Sequence, residues 1–189
     1  RIALGCAADV DKAVNAARRA FAGWSQSSRA QRLDLLQNIA AEYQKRAADM
    51  AAAVTQEMGA PAALATNNHV PLGSGHLAVA IDVLKTFAFE EQRGATLIAK
   101  ESIGVCGLVT PWNWPLNQIA VKVFPALATG CTVVLKPSEV APFSGQIFAE
   151  VMHAAGVPKG VFNLVNGLGP EVGVAMSEHH GIDMISFTG

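Results

Sequence analysis

Apolar positions recur at helical spacing through the first half of the chain and in short runs through the second. Val10, Ala13, Val14, Ala17, Phe21 and Trp24 fall on one stripe of a helix that Asp9 can cap. Ser28 and Gln31 stand in the pattern of a capping box, where hydroxyl and amide satisfy free backbone donors. Behind them Leu33, Leu36, Ile39, Ala40, Tyr43, Ala47, Met50, Val54 and Met58 keep one helical period. That predicts a single helix stopped by Gly59 and Pro61. Asn67, Asn68, Pro71 and Gly73 predict a loop, followed by a helix from Gly75 to Phe87. Glu90 to Gly94 reads as a turn. Thr96 to Ser102 reads as a strand of mixed polarity, part of a hairpin away from the core.

From Gly104 the pattern becomes strand and helix in alternation. Strands are predicted at Gly104 to Thr110, Cys131 to Leu135, Val161 to Val165 and Met184 to Phe187. Helices are predicted between them at Leu116 to Thr129, Phe143 to Ala155 and Pro170 to Glu178. This spacing means parallel βαβ units. The fold class is therefore α/β, a doubly wound, Rossmann-like parallel sheet. Three parts follow: a helical segment over residues 1–83, a protruding hairpin over 84–102, and the sheet over 103–189. Met184 to Phe187 is an apolar run of the kind buried on both faces. With only two residues after it, the chain reads as cut from something longer.

Composition narrows the function classes. Of 189 residues 51% are apolar and 15% charged, against about 25% charged in ordinary domains. A deficit of that size suggests that part of the surface is covered. The net charge of -1 and the lack of a basic patch exclude nucleic acid as an expected partner. No run approaches about 18 unbroken apolar residues, so no membrane span is expected. Three irregularly spaced cysteines predict neither a disulfide framework nor a metal cluster. Together with the absence of a signal-peptide pattern, they make a reducing, cytoplasmic setting the expectation.

Ligands of open α/β sheets bind at the carboxyl ends of the strands. Four such ends can be read: Thr110 to Pro115, Lys136 to Glu139, Asn166 to Gly173, and Thr188 with Gly189. In the third, Gly167, Gly169 and Gly173 precede or open a helix whose free N–H groups would favour phosphate, or simply make a tight turn. The spacing is one residue longer than the usual dinucleotide fingerprint, and no acidic residue follows about 20 residues on. Lys136 and Glu139 could share the two hydroxyls of a ribose, or form a surface ion pair. Asn113, held between prolines and tryptophans, could donate to an oxyanion or bond its own turn. Cys106 and Cys131 read as small core hydrophobes, and Cys6 has no base beside it. His179 and His180 lack partners at metal-ligand spacing and read as a solvated loop.

The order of these segments is more specific than any one of them. Thr110-Pro-Trp-Asn-Trp-Pro115, Leu135-Lys-Pro-Ser-Glu139, Gly167-Leu-Gly-Pro170 and Ser186-Phe-Thr-Gly189 resemble the aldehyde dehydrogenase superfamily, as does Gln56-Glu-Met-Gly-Ala-Pro61. The resemblance implies oxidation of an aldehyde to a carboxylic acid through a cysteine thiohemiacetal, with hydride passing to NAD. It implies that Asn113 stabilises the oxyanion, and that Thr110, Pro111 and Trp112 line the cofactor groove. Lys136 and Glu139 would hold the adenosine ribose, with Ser138 also at the cofactor and Glu139 making NADP the less favoured one. Gly169 and Gly173 would pass the adenine and pyrophosphate, and Phe187, Thr188 and Gly189 would begin the turn under the cofactor. The hairpin would be the oligomerisation element of a homodimer or homotetramer. The aldehyde's tunnel would include Trp114, Asn117 and Gln118.

None of the three cysteines matches the family's nucleophile, and the general-base glutamate has no match either. The chain alone is therefore expected to be inactive. Two other readings stand beside the first. One is an acyl-phosphate or acyl-CoA reductase of the same superfamily. The other is a non-catalytic cofactor-binding fragment.

Overall fold

Alternating side chains of a valine-rich parallel sheet feed two apolar cores in the structure, a computed structural model that describes residues 1–189. The strands are β3 (Val105–Thr110), β4 (Thr132–Pro137), β5 (Phe162–Leu164) and β6 (Met184–Phe187), in the order β5-β4-β3-β6, all parallel. The Gly104-to-Thr110 and Val161-to-Val165 predictions overrun these strands slightly. β4 runs two residues beyond its prediction, which brings Lys136 into the sheet. On one face Cys106, Leu108, Val133 and Leu135 meet helices α2 (Arg29–Lys45), α3 (Ala47–Met58), α5 (Val70–Thr86), α6 (Pro115–Ala128) and α7 (Pro142–Ala154). On the other Val105, Val134 and Val165 meet α1 (Ala7–Trp24) and α8 (Val174–Glu178). Successive strand residues thus serve opposite cores, as strand geometry requires. A separate antiparallel hairpin pairs β1 (Glu90–Arg93) with β2 (Thr96–Ala99).

Several predicted elements take a different form. Asp9 is not the cap of α1. The helix begins two residues earlier, and the Asp9 carboxylate reaches back to accept the N–H of Cys6 at 3.1 Å. The capping box of α2 forms as read, with Ser28 and Gln31 bonding each other's backbone N–H. The helix behind it is broken at Arg46, which ends α2 and starts α3. There the Arg46 guanidinium bonds Asp49 at 2.6 Å and Glu150 at 2.9 Å, turning α3 onto α7. Gly59 ends α3 with a positive φ of 75°.

The predicted loop after Pro61 is helical instead. A short α4 (Ala62–Leu64) leads through a wide π turn over Ala65–His69 straight into α5. Pro71 follows directly on this π turn, in the first residues of α5. Gly73 lies against the ring of Tyr43, whose hydroxyl donates to the carbonyl of Val70 at 3.1 Å. A Cβ on Gly73 would stand 2.1 Å from that hydroxyl oxygen. Glu90 to Arg93 is a strand, and the turn lies beyond it. Within residues 1–189 β6 lies at the edge of the sheet, with Ile185 and Phe187 exposed.

One contact ties the first helix to the last strand. Arg18 of α1 bonds Asp183 at 2.6 Å and the carbonyl of Gly181 at 2.8 Å. The other oxygen of Asp183 accepts the N–H of Val105 at 2.7 Å. Gly104, at a φ of 131°, makes room for that carboxylate, since a Cβ there would lie 1.8 Å from it.

Candidate functional site

The parallel arrangement places the carboxyl ends of β3, β4, β5 and β6 along one rim. Lys136, next to last in β4, is 2% exposed, and such a charge requires partners. Its ammonium donates to the carbonyl of Pro137 and to Glu139, both at 3.1 Å. The second Glu139 oxygen accepts the N–H of Gly169 at 3.4 Å. The carboxylate therefore spans the turns after β4 and β5. Its own backbone N–H, helped by Lys136 and Gly169, holds the Glu139 carboxyl below the usual carboxylate range. Ser138 is engaged locally: its hydroxyl accepts the N–H of Val140 at 3.2 Å and closes the turn into α7.

Gly169–Gly173 forms a π turn before the five residues of α8. The free N–H groups expected here are already engaged. Gly169 donates to Glu139, Pro170 has none, and Glu171 and Val172 donate to the carbonyl of Leu168. This turn offers a ligand open backbone surface rather than donors. A Cβ on Gly169 would meet nothing, and one on Gly173 only the Lys136 side chain at 3.9 Å. Gly167 is held by packing instead, because a Cβ there would lie 2.3 Å from Val172.

Thr110 ends β3 beside Pro137, 3% exposed, and its hydroxyl has no partner. The buried side-chain oxygen of Asn166, after β5, is likewise unpaired. Pro111 is half-buried, while Trp112 and Asn113 are exposed. The Asn113 amide makes no hydrogen bond within the chain. Trp114 stacks on buried His69 at 4.0 Å between ring centres. Thr188 continues β6, donating to the carbonyl of Val109 at 3.2 Å. It thereby carries Phe187, Thr188 and Gly189 to the same rim. The Glu139 carboxylate and the open surface over Gly169 and Gly173 lie on this rim, and a fixed carboxylate is a group that can accept from ribose hydroxyls, while the Thr110 hydroxyl and the Asn166 oxygen are enclosed by the chain.

Residues behind the rim escaped sequence reasoning. Glu57, at the end of α3, accepts the N–H of Phe143 at 2.6 Å together with the N–H and hydroxyl of Ser144, capping α7. Burial raises its carboxyl above the ordinary range, against the pull of the Ser144 hydroxyl and these two N–H groups. Its place inside Gln56-Glu-Met-Gly was the only signal. Among the cysteines, Cys106 and Cys131 are buried as expected, and the influence of each thiol on the other raises Cys106 and lowers Cys131 to about 5. The Cys6 thiol donates to the Asp9 carboxylate at 3.5 Å, a group too weakly basic to activate it. His179 is not merely solvated, for it pairs with Asp11 at 3.1 Å and accepts the N–H of Gly181 at 2.9 Å.

The Aldehyde dehydrogenase family profile matches residues 1–189. A 3-succinoylsemialdehyde-pyridine dehydrogenase from Pseudomonas sp is 53% identical over all of this chain and 40% of its own length. The chain thus spans about two fifths of the curated relatives it matches. A solved structure of an aldehyde dehydrogenase C mutant from Pseudomonas syringae, complexed with NAD+ and octanal, superposes with a TM-score of 0.95. It is 55% identical, covering 97% of this chain and 38% of that one. Betaine aldehyde dehydrogenase from Staphylococcus aureus, in complex with NAD+, gives 0.93 at 33% identity, covering 98% and 38%. No helix here is long and apolar enough to cross a membrane.

Proposed function

The chain belongs to the aldehyde dehydrogenase family, and on that premise we propose that it forms the NAD-binding part of an enzyme oxidising an aldehyde to a carboxylic acid. When bound, NAD supplies the hydride acceptor. The observation that carries the reading is the Glu139 carboxylate held between Lys136 and Gly169. A carboxylate so fixed accepts from ribose hydroxyls and repels a 2′-phosphate. The NAD+ in the Pseudomonas syringae and Staphylococcus aureus structures supports the choice of cofactor.

Thr110, Pro111 and Trp112 form the wall of the groove beyond β3, with Ser138, Gly169 and Gly173 beyond β4 and β5. Phe187, Thr188 and Gly189 close its far side. Asn113, with its amide free of intrachain bonds, donates to the oxygen that gains charge as the aldehyde is attacked. The attacking thiolate and the base that activates water are not assigned to any residue of this chain. Cys106 and Cys131 are core residues, and Cys6 lies in the first cap. The hairpin over residues 84–102 serves self-association.

Calorimetric titration with NAD and NADP tests the cofactor reading. NAD binds more tightly, and Glu139→Gln narrows the difference. An NADP preference in the unaltered protein refutes it. Aldehyde-dependent reduction of NAD by a longer protein containing this sequence tests the reaction itself.

A further inference from the structure

At the amino ends of β3 and β4, opposite the rim just described, lies a concave site of about 490 Å³. The α1–α2 turn, the root of the hairpin and the turn before β4 enclose it. Arg29, Arg32 and Lys100 converge on it, with the hydroxyls of Ser25, Ser27 and Ser102 in the same wall. Glu101 is the single acidic residue among those lining it.

Only Glu101 in the lining and the Cys131 thiol close to Arg32 offset the three cations. None of them takes part in an ion pair, although other arginines and lysines of the chain do. Arg32 is 7% exposed, and its hydrogen-bond partners are neutral: the Ser27 hydroxyl at 2.9 Å and the carbonyls of Ser25 at 2.8 Å and Ala128 at 3.4 Å. Three of its five donors are thereby engaged. Arg29 and Lys100 are tied to the carbonyls of Lys85, Phe87 and Ala88. The charges also lie over aromatic faces. Arg29 and Arg32 stand 5.9 and 5.8 Å from the centre of the Phe89 ring, and Lys100 stands 5.1 Å from that of Phe87.

Converging like charges repel, and burying one without a carboxylate is costly. Here carbonyls and rings fix all three around a cavity, with donors left over. We propose that this pocket binds a small oxyanion, of the phosphate or sulfate class. Charge-assisted bonds from Arg32, Arg29 and Lys100 hold it. The ligand joins the α1–α2 turn to the hairpin root, so its binding stiffens the base on which the hairpin stands. This site does not depend on the cofactor reading.

The test is titration of the protein with inorganic phosphate at constant ionic strength, balanced with sodium chloride, read by calorimetry and thermal melting. A saturable rise in Tm is expected. Lys100→Gln and Arg29→Gln replace exposed side chains, and each weakens binding about tenfold, the loss of one charged hydrogen bond. Lys12→Gln, outside the pocket, leaves it unchanged. No phosphate effect beyond that of chloride overturns the proposal, as does equal affinity in all variants. So does a phosphate-insensitive protein whose self-association falls in Lys100→Gln, since a carboxylate of a second copy would then occupy the pocket.

Discussion

The carboxylate of Glu57 accepts both the N–H and the hydroxyl of Ser144, across 87 residues of sequence. Through that contact α3 fixes the start of α7, and with it the turn that carries Glu139. Glu57→Ala leaves the first N–H groups of α7 unpaired and should cost about 0.5–2 kcal/mol, the range of a lost helix cap. Chemical denaturation measures it.

The same residue gives stability a pH dependence. Burial raises the Glu57 carboxyl above its ordinary 4.5. The folded state therefore favours the neutral acid. Its contribution is complete below the ordinary value and is lost as pH rises through the raised one. Relative to Glu57→Gln, the wild-type protein should lose stability as pH rises above about 4.5 and then level off. A relative gain over that window would show that the bonds from Ser144 outweigh burial.

Gly73 and Tyr43 form a coupled pair. Gly73→Ala drives a methyl into the Tyr43 hydroxyl and should cost about 1–3 kcal/mol by overpacking. Tyr43→Phe removes the oxygen, so the double variant should recover part of that loss. A double-mutant cycle reads the coupling directly. Strict additivity would mean that the two side chains do not meet.

Replacing Glu139 with Gln keeps the shape but removes the charge. Discrimination against NADP should relax, measured as the ratio of the two dissociation constants. In the wild type the depressed carboxyl stays ionised at and above its ordinary value and is neutralised only as pH falls through the lowered one. NAD affinity should accordingly be flat from neutral pH down to the ordinary carboxylate range.

Asn113→Ala, in a longer protein with aldehyde oxidation activity, should lower kcat by about 10²–10³-fold through loss of an oxyanion donor. An unchanged kcat would remove Asn113 from that role.

Local and periodic features were legible in the sequence. The Ser28–Gln31 box, the strand and helix alternation and the Lys136–Glu139 spacing each involve near neighbours with one plausible geometry. The break at Arg46 was hidden, because the apolar repeat runs through it and α7, against which α3 packs and with which Arg46 pairs through Glu150, lies far along the chain. The segment after Pro61 was misread because Asn67, Asn68 and Pro71 resemble a loop. Its buried positions include Ala65, His69, Val70, Gly73 and Leu77, a helical pattern carried partly by a histidine and a glycine. The Glu57 cap had no signature beyond its place in Gln56-Glu-Met-Gly, since its partners lie in another helix. At the rim the residues were legible, but the exhaustion of N–H donors around Gly169 was not. That depends on where Glu139 and Leu168 point.

The tie between Arg18 and Asp183 also has a meaning in time. It closes a span of 165 residues, and contacts of such separation form late and slowly. As the chain emerges from synthesis, α1 is complete long before β6, yet its polar anchor on the sheet does not exist until β6 arrives. Until then the valine face that α1 will share with β3 and β4 has no such clasp. The edge where β6 docks is the place where an interrupted or mispaired chain would expose strand to its neighbours.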